Sequence, residues 1–322
     1  MPFSPKFRMQ NSLPYYQRKF ETLRIDRTHG EPAPHKPILL LAVIDLIEEG
    51  AINENKIYPS PLLVETFLKY WYLVRDDKPR LEYPFKYLKS EKFWHLHAKE
   101  GQYEKLIKTR EFGSFSQLAE TIDYASLDEE LFVYLQYLAT REVLRYTIIQ
   151  KYFLKHSELF RAAIDDSRDI TFIENLLLDN AEMKGFDLSK EVADEKKRER
   201  GFSRLVKRLY DFTCAACHYR IITANGEAAV DAAHIFPFKE SFDDSIGNGI
   251  SLCKLHHWAF DRGLFSINDN YKMIVAASFS ESGNEHFSLH NLQSKTILLP
   301  KEKPFRPSIS MLRWHRENKL NS

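Results

Sequence analysis

The chain has 322 residues, 43% of them hydrophobic and 13% aromatic, which is apolar enough for two folded domains with their own cores and excludes a disordered chain. Its formal net charge of +1 means that a polyanionic partner would have to be met by a local basic face and not by the average. No apolar run approaches the roughly 18 residues of a membrane span, and the opening MPFSPKFRMQNS lacks a hydrophobic signal core, so the expectation is a cytoplasmic protein with no membrane partner.

Residues 37–50, PILLLAVIDLIEEG, put proline in a first turn, follow it with a long apolar run and close on glycine, as a buried helix does. In the preceding GEPAPHKP, prolines flank His35 and Lys36, which places both side chains near a helix N-terminus, a position favourable to phosphate. Residues 62–74 form a second apolar segment. Tyr83-Pro84-Phe85 then reads as a rigid apolar surface among Lys78, Arg80, Lys86 and Lys89, suited to a hydrophobic contact made beside phosphates. Taken alone, both stretches also read as a helix start and an aromatic corner. Leu127 to Phe160 is largely helical in pattern. Residues 1–164 are therefore expected as a mostly helical domain and 165–200 as a linker.

The run Lys196–Arg208, KKRERGFSRLVKR, has a single acid among its many cations. It reads either as positive charge laid along a polyanion or as a solvated helix. Beyond it, Cys214 and Cys217 form one CxxC knuckle, and Cys253 with His256 forms a second in which imidazole replaces a thiolate. Four soft ligands are what a closed tetrahedral zinc site requires, whereas a redox CxxC does not usually bring a second ligand pair about forty residues on. This consumes every cysteine, leaving none for disulfides, as in a reducing compartment. His218 reads as a knuckle-loop residue. His234, Asn248 and His257 are left over for chemistry. Glu227 to Ile235 is a plausible strand presenting His234, Asn248-Gly249 is a turn signal, and Leu252 to Asp261 reads as a short helix.

The spacing of His234, Asn248 and His257, carried by VDAAHIFPF, GNGISLC and LHHWAFDRGLFSI, resembles the HNH nuclease family with its ββα-metal fold. The resemblance implies that His234 is the general base, that His257 binds a catalytic magnesium or manganese, and that Asn248 holds the loop and orients the base. Many relatives place an acidic metal ligand directly before the base; this chain has Ala233 there. Asp231 and Asp261 are the local replacements. Asp261 reads better as an anchor for the helix end before Gly263, and Asp231 fits a metal or a structural role equally.

The two upstream stretches, with this module behind them, resemble the sulfur-binding domain of McrA-like type IV restriction endonucleases, which recognise phosphorothioate-modified DNA. By that resemblance Tyr83 and Pro84 form the sulfur pocket, with Phe85 beside them. His35 and Lys36 contact the neighbouring backbone, and Arg110 touches a base or phosphate. Lysine at 36 replaces an arginine found in part of the family and forfeits a bidentate contact. The expected architecture is multidomain α+β: a mostly helical DNA-reading domain followed at 201–322 by a zinc-stapled HNH domain, whose short aromatic and basic C-terminal helix packs back on it. The expected partner is double-stranded DNA, with a second copy of the chain as a further candidate. An HNH nuclease that reads a methylated base or an unmodified sequence is the alternative, and a catalytically silent zinc DNA-binding protein is the third reading.

Overall fold

The computed structural model describes residues 11–26, 32–183, 186–223, 225–285 and 288–321. Most of the MPFSPKFRMQNS stretch, and Gly30 and Glu31 of GEPAPHKP, lie outside the described residues. The chain divides into two units, Met1–Ser167 with Ile222–Glu227, and Arg168–Ile221 with Ala228–Ser322.

In the first unit the elements run α1 (Leu13–Glu21), α2 (His35–Glu48), α3 (Pro61–Trp71), α4 (Glu82–Tyr87), β1 (Trp94–Ala98), α5 (Tyr103–Lys108), α6 (Phe115–Thr121), β2 (Ile122–Leu127), α7 (Glu129–Gln136) and α8 (Leu138–Tyr152). The predicted apolar helix is α2, buried from Lys36 to Ile47. It is apolar all round because α3, α4, α7 and α8 enclose it. The second apolar segment becomes α3, which starts at Pro61 behind Ser60, whose Oγ accepts from the Leu63 N–H. One ionic cluster lies inside this core. Asp45 accepts from Lys69 Nζ at 2.5 Å and Tyr70 OH at 2.7 Å, and Arg145 reaches it at 3.2 Å while also pairing with Glu48. β1 and β2 form an antiparallel ribbon in which Trp94 faces Leu127.

The helix α9 (Ser157–Asp179) runs through the boundary expected at 164, and the supposed linker is largely packed helix. Ile170, Ile173 and Leu177 of α9 are buried, and its Glu174 holds Arg208 of α10 (Glu195–Leu209) at 3.0 Å. The basic run makes up most of α10. Arg198 and Arg204 are buried and Lys197 pairs with Asp169 at 2.6 Å, so much of its charge clamps α10 to its own surroundings.

The second unit continues with β3 (Val230–His234), α11 (Phe238–Ser241), β4 (Gly249–Cys253), α12 (Lys254–Asp261), β5 (Phe265–Ile267), β6 (Met273–Val275) and α13 (Ile309–Asn318). β3 and β4 are antiparallel, Val230 opposite Cys253 and His234 opposite Gly249. The glycine lets α10 close on this hairpin, since a Cβ at 249 would lie 2.5 Å from Val206 Cγ2. The C-terminal helix packs back as expected: Trp314 stacks on Phe236 and His315 on Phe260, each at 3.7 Å. Among the described residues no helix is long and apolar enough to cross a membrane.

Candidate functional site

Cys214, Cys217, Cys253 and His256 converge so that their ligand atoms all lie within 4.8 Å of one another. The knuckle is built by backbone pairing: Cys214 N donates to Tyr219 O, His218 N to Cys214 O, and Ala215 N to Ser251 O on β4. His218 turns away, at φ +60° with Nε2 3.2 Å from Thr296 O, and belongs to the loop. His256 Nδ1 stands 3.0 Å from Cys253 Sγ and 3.6 Å from Cys214 Sγ. Hydrogen bonds from Cys214 and Cys217 hold the Cys253 thiol far below its usual range. Burial, the largest influence on His256, pushes it down, but its bonds to Cys214 and Cys253 outweigh this and raise it to about 9. Three sulfurs and one imidazole nitrogen in so small a volume fit a tetrahedral metal site.

β3, the loop after it and α12 bring the remaining polar groups to one side of the module. His234 ends β3, its ring parallel to Phe202 of α10 at 4.1 Å and its Nε2 3.5 Å from Asp244 Oδ1. Asn248 is fully buried; its amide accepts from Phe236 N at 2.8 Å and donates to Phe236 O and Asp243 O. It therefore ties both ends of the loop that follows His234. His257 on α12 lies between two carboxylates, Nδ1 3.5 Å from Asp231 and Nε2 3.5 Å from Asp261. The carboxylates differ in surroundings. Burial, the largest influence on Asp231, raises its pKa, but Lys254 at 2.6 Å and His257 together hold it below the usual range. Asp261 is more exposed and also lines a cleft of about 380 Å³ with His234, Asp244, Phe238, Glu195 and Arg198. His234 and Asp261 line this cleft and His257 touches Asp261; two imidazoles and a carboxylate are groups that can activate water and hold a hard cation.

The two reader stretches meet in the first unit. Lys36 Nζ, almost fully buried, pairs with Glu91 and donates to Ser90 Oγ at 3.0 Å, just past α4. It is thus committed to an internal ion pair instead of standing ready for a phosphate. His35 packs on Trp71 at 4.6 Å, and burial lowers its pKa. Phe85, expected on the surface, lies in the core with its edge against Trp94 at 5.3 Å, because a six-residue helix turns only part of its girth to solvent. Pro84 is buried as well. Tyr83 keeps partial exposure, with the Arg80 guanidinium 4.1 Å from its ring centre and its OH 3.5 Å from Glu111. Arg110 is exposed, and its carbonyl accepts from Tyr87 OH at 3.1 Å and from the buried Lys86 ammonium. Tyr83, Tyr87, Arg80 and Arg110 form the accessible aromatic and cationic surface.

Residues 214–268 match the family model of an HNH endonuclease, and residues 16–162 match that of a ScoMcrA-like DNA sulfur-binding domain. The chain carries both domains. The HNH match contains the two knuckles, His234, Asn248 and His257; the sulfur-binding match contains all six residues proposed to meet DNA. Among solved structures, a modification-dependent TagI restriction endonuclease is similar at 22% identity and a TM-score of 0.29, covering 37% of this chain and 38% of that one. The chain thus spans well under half the length of that structure. None of the curated proteins matches it. Sequence reading missed Phe202, Asp244, Tyr87 and Glu111. Only Asp244 left a trace, as one of two acids shortly before Asn248 in the HNH spacing.

Proposed function

We propose that this protein is a modification-dependent DNA endonuclease that reads phosphorothioate through its sulfur-binding domain and hydrolyses phosphodiester bonds through its HNH domain. The observation that carries the reading is a cleft lined by His234 and Asp261, with His257 3.5 Å from Asp261, none of the three belonging to the four-donor cluster. Zinc is the structural metal we assign to Cys214, Cys217, Cys253 and His256, because three thiolates and one imidazole select a tetrahedral, redox-inert cation. His234 takes the proton from the attacking water. His257 and a carboxylate would hold magnesium or manganese, which when bound stabilises charge on the phosphate and the leaving oxygen. Asp261 is the better carboxylate of the two, since Lys254 already engages Asp231. Asn248 fixes the loop, its side-chain hydrogen bonds going to Phe236 and Asp243.

In the reader, sulfur in place of a non-bridging oxygen is larger, softer and less hydrated, which suits a tyrosine face beside guanidinium groups. We assign Tyr83 to the sulfur contact, with the buried Pro84 backing it, and Arg110 to the backbone or a base, with His35 shaping the neighbouring wall. A single HNH centre serves one strand at a time, so two copies acting together are the arrangement we propose for a double-strand cut. The cysteine-only use of thiols as metal ligands suits a reducing, cytoplasmic setting.

Incubating plasmids with and without phosphorothioate, in magnesium and in manganese, tests the whole reading. Cleavage confined to modified plasmid is expected. Equal cutting of both would remove the sulfur requirement and favour a reader of a methylated base or an ordinary sequence; no cutting of either would remove the nuclease.

A further inference from the structure

Asp244 is more than nine-tenths buried, and its Oδ1 stands 3.5 Å from His234 Nε2. Among the described residues, neither His234 Nε2 nor Asp244 Oδ2 has a hydrogen-bond partner, although both atoms are buried. A buried polar atom left unsatisfied is costly, and these two lie at the wall of the same cleft. The backbone around the carboxylate is held from three sides. Asp244 N donates to Phe186 O at 3.0 Å, Asp243 Oδ1 accepts from Ser245 N at 2.8 Å, and the Asn248 amide donates to Asp243 O at 2.8 Å. Phe202 meanwhile fixes the plane of the imidazole.

We infer that Asp244 is the positioning residue of the catalytic base: it accepts the Nε2–H of His234 and thereby fixes the tautomer whose Nδ1 lone pair takes the proton from water. This rests on the nuclease reading above. During the step the water proton moves to Nδ1, Nε2 keeps its own proton, and Asp244 remains a carboxylate opposite the imidazolium. The geometry is that of a histidine oriented by a buried acid, an approach of 3.5 Å that should shorten to a hydrogen bond when substrate is bound. Asn248 then acts through the loop: it fixes Asp243, and so where Asp244 stands.

Asp244→Asn and Asp244→Glu in the full chain test this. Long-range nitrogen–proton NMR reads the His234 tautomer, with the signal assigned by its loss in His234→Gln, and single-turnover cleavage reads the chemistry. The wild type should show Nε2–H. Asp244→Asn should mix the tautomers and slow cleavage about 10²-fold or more with KM little changed, while Asp244→Glu should recover part of both. Metal content and thermal midpoint serve as controls for folding. An unchanged rate in Asp244→Asn, or a lost rate with the tautomer unmoved, would overturn the assignment, as would a defect cured by raising magnesium. If the wild type cuts no DNA, the nuclease reading fails, yet the tautomer of His234 still decides whether the pair exists.

Discussion

His234 is held by a ring on one face and approached by a carboxylate at one nitrogen, and no metal donor of the Cys3His cluster depends on it. Replacing it with alanine should lower cleavage by about 10²- to 10⁴-fold and leave metal content, thermal midpoint and DNA affinity near the parent values. Undiminished cutting would refute its role as base. A second histidine tests folding in place of chemistry. Burial, the largest influence, holds His315 down to about 4 from the ordinary 6.5, with Lys319 reinforcing it and a bond to the Phe260 carbonyl opposing. The unfolded chain therefore binds a proton between about pH 6.5 and pH 4 that the folded unit refuses. Its contribution is complete above about 6.5 and is lost as pH falls through that window, on the order of 3 kcal/mol in all. Urea titrations of the wild type and His315→Gln should diverge, the wild type losing stability more steeply between about pH 7 and pH 4.5. Parallel curves would show that His315 is not the titrating group.

At the level of elements, the four donors join the Cys214–Cys217 knuckle to the corner between β4 and α12, so metal binding and folding of this module should be one equilibrium. Cys253→Ser should abolish tight zinc binding and unfold the module, read as lost near-ultraviolet dichroism and a lowered midpoint; a fully stable, zinc-free variant would contradict it. Brief EDTA treatment should instead stop cutting reversibly. Gly263 follows α12 at φ +66°, and a Cβ there would sit 1.7 Å from the Lys319 carbonyl, so the end of α13 closes only over glycine. These elements were legible in the sequence because short spacings encode them: the knuckles, the strand before His234, the helix carrying His257, and the long apolar run of α2. What was not legible depended on tertiary partners. Nothing in YPF tells which side of a six-residue helix turns inward, and Phe85 went to the core. Lys36 met Glu91, 55 positions away, and the cations of α10 met Asp169 and Glu174. Asp244 faces His234 only because Asn248 folds the intervening loop back.

For the molecule as a whole, the proposed function predicts that the sulfur-binding domain separates two kinds of DNA contact. Tyr83→Ala should diminish the preference for phosphorothioate over ordinary duplex while weak binding survives. Arg110→Ala should weaken both and flatten the salt dependence, as loss of a phosphate contact does. Binding isotherms at several salt concentrations check this, and identical behaviour of the two variants would remove the division of roles. Lys36→Ala should act differently again. It leaves the buried Glu91 carboxylate without its cation and, among the described residues, with hydrogen bonds from Arg24 N and Ser90 Oγ only, a change that costs up to about 3–5 kcal/mol in comparable settings, so its DNA defect should follow its thermal defect. The HNH match stops at residue 268, yet Trp314 covers Phe236, and His315 covers Phe260 and bonds Ser266 Oγ at 2.9 Å. A fragment trimmed to the match would leave those two rings bare and should aggregate. The smallest portable form of the HNH domain is therefore longer than its matched segment: a transplant into another protein has to start no later than α10, which supplies Phe202, and run past α13.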